Sequence, residues 1–226
     1  MENINYESCQ MCNFEVHKSI LIVVSSNDKL SDCSDTGIWF EEFAIPYSAL
    51  IDNGYEVTVV SPKGGEAPID RKSLNNKWET AQKSLQNTRQ LASVDYERYD
   101  ALILPGGHGP MFDLCQNETL GKIINHFSKK NKLIGAICHG PAGLLSVPDF
   151  VKGRRLTCIT NEEEHYHKSE NKIPFYLEDA LKNLGADFVK SGIGEVNVVK
   201  DDNLITAQNY QSTELFTKMI IDWLKS

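Results

Sequence analysis

The chain has 226 residues, 41% of them apolar, enough for one sizeable α/β core with no need for a second domain. Its 31 acidic residues against 23 basic ones leave a net charge of −8, which argues against nucleic acid or an anionic membrane surface as a partner. No stretch approaches the roughly 20 apolar residues that a membrane-spanning helix needs.

Residues 1–18 read as a flexible polar extension ahead of one α/β domain at 19–226, and they lack the apolar run of a secretory signal. Cys9 and Cys12 form a Cys-x-x-Cys there. A zinc knuckle needs a second pair and a redox motif needs a strand just before it, so neither role is expected. The six cysteines follow no disulfide framework, as suits a reducing cytoplasm.

Ser19–Ser25 is predicted as a buried strand and Ile38–Asn53 as a helix, with apolar residues at helical spacing and Gly54 at its end. Tyr55–Ser61 is a second strand. Residues 62–98 are polar, too long for an ordinary connection, carry Trp78 and Leu85, and are expected to include a short helix. Asp100–Leu104 is a third strand, Thr119–Lys130 a helix, and Leu133–Ile137 a fully apolar strand. Leu156–Thr160 is predicted as a strand, Pro174–Leu184 as a helix, and Asp187–Lys190 and Glu195–Val199 as short strands. Leu204–Ala207 is the last strand, before an amphipathic helix over Ser212–Leu224. Alternating strands and helices predict a three-layer α/β/α sandwich around a mostly parallel, flavodoxin-like sheet.

Sites in such sheets form at the carboxyl ends of the strands. Cys138 follows the apolar strand, and Gly140 and Pro141 break the run before a helical pattern resumes at Ala142. This is a nucleophile elbow, a turn that pushes a side chain out above the sheet. A helix start beneath it favours thiolate over thiol, so Cys138 is expected to be the most acidic of the cysteines. Cys115 and Cys158 read as small buried apolar residues. Gly106 and Gly107, after the third strand, offer backbone N–H groups with no Cβ in the way, as an oxyanion hole requires. The first helix brings Glu41 and Glu42 to the same edge. Glu162, Glu163 and Glu164 with His165 and His167 superficially suggest a metal cluster, but read better as a charged loop, and no metal is expected.

"TGIWFEEFAIPY", "LILPGGHGPMFDL", "GAICHGPAGLL" and "IPFYLEDALKNLGADF" resemble the ThiJ/PfpI superfamily of class I glutamine amidotransferase-like folds, and within it the chaperone/glyoxalase III branch. The resemblance runs from about Ser19 to the C-terminus. It implies that Cys138 is the nucleophile, His139 its partner and Glu42 the helix acid bonded to the sulfur. It further implies that Glu164 orients the histidine, though Glu162 and Glu163 are close rivals. The oxyanion donors it implies are the Gly107 and His139 amides, with Gly106 beside them and His108 at the pocket mouth.

The activity implied is a cofactor-independent glyoxalase, or D-lactate dehydratase. It turns a small 2-oxoaldehyde such as methylglyoxal into a 2-hydroxy acid without glutathione, metal or nicotinamide, and the resemblance implies a homodimer. Two alternatives stand beside it. One is hydrolysis at the same cysteine, as peptidase, amidase or deglycase; the other is a stress-response holdase chaperone or redox sensor. His139 with an acid behind it favours catalysis, since a sensor needs only the cysteine and its acid neighbour.

Overall fold

A computed structural model describes residues 18–226; the Cys9–Cys12 pair and the extension assigned to residues 1–18, apart from Lys18, lie outside them. Strands β1 (Ser19–Val23), β2 (Glu56–Ser61), β3 (Arg89–Gln90), β4 (Ala101–Leu104), β5 (Leu133–Ile137), β8 (Val198–Asp201) and β9 (Leu204–Ala207) form one sheet in the order 3-2-1-4-5-9-8. Its strands are parallel except β8, which pairs antiparallel with β9. The residues of β4 and β5 are all buried, as both faces of a helix-covered parallel sheet should be.

Helices α1 (Phe40–Asp52) and α8 (Thr213–Lys225) pack against each other, and α8 also covers β5 and β9. At Gly135 of β5 a Cβ would touch Phe216 and Ile220 of α8 at 3.1 Å, so the sheet and helix meet backbone to side chain. The 3₁₀ segment Gly140–Ser146 packs against α4 (Glu118–Lys129), which also contacts β4 and β5. The short helix expected in the long polar region is α2 (Glu79–Ser84), followed by α3 (Pro110–Asp113) and, beyond β5, α5 (Pro148–Val151).

Two expectations are corrected. Residues 156–160 do not form a strand of the main sheet: only β6 (Arg155–Leu156) is regular, paired with β7 (Asp187–Phe188) in a separate two-stranded ribbon. Thr157 N–H instead donates to the Thr206 hydroxyl at 2.9 Å, so a side chain replaces the ladder. The charged loop is also wrong. Asn161–His167 is a helix, α6, set by a capping box in which Thr160 and Glu163 each bond the other's backbone N–H. Helix α7 (Leu177–Asn183) comes after it. Among the described residues no helix is long and apolar enough to cross a membrane.

The chain runs outward from β1 to β3, then restarts at β4 on the other side of β1. Between them lies the switch point where open α/β sheets place their sites. A bond from Trp39 N–H to Gly106 C=O (3.3 Å) ties the start of α1 to the turn after β4 across that point.

Candidate active site

Cys138 comes directly after the last residue of β5 with φ at +58°, a left-handed conformation that costs energy for any residue with a Cβ. It is held there from two sides. Its N–H donates to Ala207 C=O at 2.9 Å, and its C=O accepts from Ile159 N–H at 3.0 Å. Gly140 permits the turn: a Cβ there would collide with the Leu104 carbonyl. The elbow predicted from sequence is therefore present, although it leads into a 3₁₀ turn rather than an α-helix.

The elbow delivers Cys138 and His139 into a cavity of about 320 Å³. Cys138 Sγ lies 3.3 Å from His139 Nδ1, and His139 Nε2 lies 2.7 Å from Glu164 Oε1. With Nε2 donating to the carboxylate, the ring presents an unprotonated Nδ1 to the thiol. Burial favours the neutral form of His139, against the pull of Glu164. Burial works against ionisation of Glu164 too, yet His139 and His108 hold its carboxyl well below the usual range. The pair rests as a neutral imidazole over an anionic carboxylate.

The three consecutive glutamates of α6 have separate fates. Glu164 faces His139. Glu163, also buried, accepts from the Thr160 N–H and hydroxyl, the Gln208 and Asn209 amides and the Gly194 N–H. Glu162 is exposed and pairs with Lys190 at 2.7 Å. Of the three, Glu164 is the one in contact with His139.

Glu42 of α1 is fully buried beside the thiol, while its neighbour Glu41 is half-buried. Neither Glu42 oxygen has a partner at proper hydrogen-bond geometry. Burial pushes its pKa up to about 8, even though the Cys138 thiol and the Gly106 and Gly107 amides pull it back. The group is mostly a neutral acid at pH 7.

The expectation of an acidic Cys138 is overturned. Burial pushes its thiol well up, and the Glu42 carboxyl adds to that. The structural cause is the 7% exposure of the residue, which outweighs whatever the short turn behind it supplies. Ionisation of this sulfur requires a base, and His139 Nδ1 is in place. Cys158 is also buried and pushed well up, and Cys115 is pushed up, as their reading as apolar residues suggests.

The glycine turn departs from expectation in part. Gly107 lines the cavity with φ at +86°, packed so closely on Gly37 and Trp39 that no side chain would fit. Gly106 does not line the cavity; it backs onto Glu42 and Cys138, where a Cβ would collide with the carboxyl. Its role is to let the acid and the sulfur approach. His108 lines the cavity, its ring centroid 4.4 Å from that of His139 with the two planes tilted by 43°. His108 Nε2 is 3.7 Å from Glu164 Oε2, within ion-pair range but long for a hydrogen bond.

Sequence reasoning missed most of the remaining wall. Trp39 and Tyr210, with ring centroids 5.5 Å apart, form an aromatic side, and Asp70, Lys72 and Asn209 also reach the cavity. These sit in loops or at element ends, where no periodicity marks them.

The model of the DJ-1/PfpI family matches residues 36–222, a span that contains every residue of this constellation. Among curated proteins, the human glutamine amidotransferase-like class 1 domain-containing protein 1 is 29% identical over 185 residues, covering 73% of this chain and 78% of that protein. The glutathione-independent glyoxalase hsp3102 of Schizosaccharomyces pombe is 25% identical over 224 residues, covering 87% of this chain and 93% of that one. The solved structure of the Rapid Encystment Protein 24 kDa from Francisella tularensis superposes with a TM-score of 0.86 at 33% identity, over 90% of this chain and 97% of the other. Motif, sheet order and elbow agree with that match, and the chain belongs to the DJ-1/PfpI family.

Proposed function

We propose that this protein is a glutathione-independent glyoxalase that converts 2-oxoaldehydes such as methylglyoxal to 2-hydroxy acids, D-lactate in that case. The observation that carries the reading is the placement of a neutral carboxylic acid, Glu42, and a base, His139 Nδ1, around one thiol. The similarity to a glutathione-independent glyoxalase over most of both chains supports it.

Cys138 sulfur adds to the aldehyde carbon while His139 Nδ1 takes the thiol proton, then returns it to the new alkoxide. The Gly107 and His139 amides face the developing oxyanion, with His108 at the mouth. The hemithioacetal next loses its C1 proton to His139 while Glu42 gives a proton to the C2 oxygen, forming an enediol. His139 returns a proton to C2, Glu42 recovers one from the C1 hydroxyl, and a thioester remains. Water, deprotonated by His139, releases the 2-hydroxy acid and the thiol. Glutathione is unnecessary because Cys138 plays its part, and one water is the net reactant consumed.

A cysteine hydrolase would use the same Cys138–His139–Glu164 line, and the amidotransferase-like relative is the observation in its favour. Glu42 separates the two readings. Hydrolysis needs no second acid at the sulfur, whereas the C1-to-C2 proton shift does. Turnover is therefore expected to hold up to about pH 8 and to fall as pH rises through that value, as Glu42 loses its proton. Steady-state rates across pH 6–10 read this directly. In Glu42→Gln activity should drop and the falling limb should disappear; a limb that survives the substitution would place the titration on another group.

The proposed setting is a reducing cytoplasm, with the protein as a homodimer. Light scattering on the full chain should then give twice the 25.4 kDa chain mass. A monomer mass at micromolar concentration would reject the dimer.

A further inference from the structure

His108 adds a third ligand atom to a pair the proposed reaction already uses. Its Nε2 is buried and makes no hydrogen bond, although Glu164 Oε2 stands 3.7 Å away. His139 Nε2 meets the other oxygen of the same carboxylate at 2.7 Å. The ligand atoms of His108, His139 and Glu164 all lie within 4.8 Å of one another. Two imidazoles and a carboxylate with a fourth position left open are the donor set of a catalytic-type zinc centre. At bond lengths of about 2.0–2.2 Å, tetrahedral ligand atoms stand about 3.3–3.6 Å apart. The two histidine–carboxylate distances, 2.7 and 3.7 Å, straddle that spacing, and a spread of up to 4.8 Å across the set closes onto an ion with side-chain shifts of about 1–1.5 Å. Entry is open, because His108 keeps a side-chain exposure of 20% and lines the cavity.

We propose that His108, His139 and Glu164 form a reversible Zn²⁺ site that holds the cysteine centre inactive. Imidazole nitrogen favours zinc over magnesium or calcium, which prefer all-oxygen shells. The six-coordinate aqueous ion releases five waters to bulk as the three protein ligands bind and keeps one water at the fourth position, toward the cavity. It takes the lone pair of His139 Nε2, and the proton that nitrogen carried moves to Nδ1. No electron is transferred. Nδ1 then faces Cys138 Sγ as a donor and has no lone pair left to accept the thiol proton. The base is lost while the sulfur stays reduced and intact.

Crystals of the full chain grown with equimolar zinc chloride, measured on both sides of the zinc absorption edge, test the site without reference to turnover. The expected result is an anomalous peak bonded to His108 Nε2, His139 Nε2 and a Glu164 oxygen. Zinc peaks only at the thiols of other cysteines, or none, would overturn the proposal. In solution, titration against a chromogenic chelator in a Cys9→Ser/Cys12→Ser background should show one ion per chain. His108→Asn should weaken that ion by more than the about 10–100-fold that loss of an outer-shell partner costs, and an affinity unchanged in both His108→Asn and Glu164→Gln would equally overturn it. Inhibition of methylglyoxal turnover by zinc, reversed by a chelator, is the consequence that rests on the glyoxalase reading. The binding arms stand apart from it, so failure of either idea shows separately.

Discussion

Replacing Cys138 with serine is expected to lower methylglyoxal turnover by about 10³-fold or more while leaving the fold in place. A nucleophile is needed in a pocket that disfavours charge, since burial pushes even the thiol well up. A hydroxyl is a far weaker acid than a thiol, so the imidazole 3.3 Å away would have to remove a proton held several orders of magnitude more tightly, in a site spaced for sulfur. Among the described residues no other cysteine lines the cavity, so none can substitute. Cys158→Ser and Cys115→Ala, at buried positions outside it, should keep near-normal rates in whatever fraction folds. Comparing kcat/KM across the three, with circular dichroism as the control for folding, decides the matter. Activity of Cys138→Ser within tenfold of wild type would remove the covalent step from the account.

Glu164→Gln is expected to cost about 10²-fold or more, with little loss of stability. A glutamine oxygen can still accept from His139 Nε2, so the 2.7 Å bond has a neutral replacement. What disappears is the negative charge that stabilises the imidazolium each time His139 takes a proton. Its other oxygen faces His108, so the substitution also removes the attraction there. The neighbouring replacements calibrate the result. Glu162→Gln breaks only an exposed pair with Lys190 and should change turnover little. Glu163→Gln removes a carboxylate that accepts from five buried or half-buried donors, so it should reduce stability before it reduces chemistry. Rates measured with thermal melts on all three variants separate these effects. If Glu164→Gln retains full activity while Cys138→Ser has none, only a cysteine–glutamate pair remains.

The parts of the site that can be read in the chain are those where backbone geometry leaves a mark. An apolar run of strand length ending at Cys138-His139-Gly140-Pro141 specifies an elbow, because Gly140 is the residue that fits under the Leu104 carbonyl. Which glutamate of α1 meets the sulfur is not legible from periodicity, since Glu42, Phe43 and Ala44 are buried in succession; the family resemblance is what points to Glu42. Helix α6 is missed by a reading of charge although its signature is present, since Thr160-x-x-Glu163 is a capping box and outweighs the charge run. The region before it reads as a sheet strand from its β-branched residues. Its Thr157 N–H goes instead to a side chain of β9 and its Ile159 N–H to the Cys138 carbonyl, which composition cannot reveal. The acidity of Cys138 fails for a related reason. Proximity to a helix start is visible in sequence, but the depth of burial that overrides it belongs to the packed fold. Trp39, Asp70, Lys72 and Tyr210 come together only through tertiary structure, and nothing in their spacing announces it.

In the proposed reaction one thiol, one base and one neutral acid carry out an internal redox shift without an external thiol. Proton NMR of the purified full chain with methylglyoxal in D₂O, with no glutathione, metal or nicotinamide added, tests it most directly. The account predicts lactate as the product, formed at a rate that depends on Cys138 and identified as the D enantiomer with a D-lactate-specific dehydrogenase. Deuterium is expected at C2 wherever the base exchanges its proton with solvent before returning it. Methylglyoxal left unconsumed by folded protein, or consumed without lactate being formed, would contradict it.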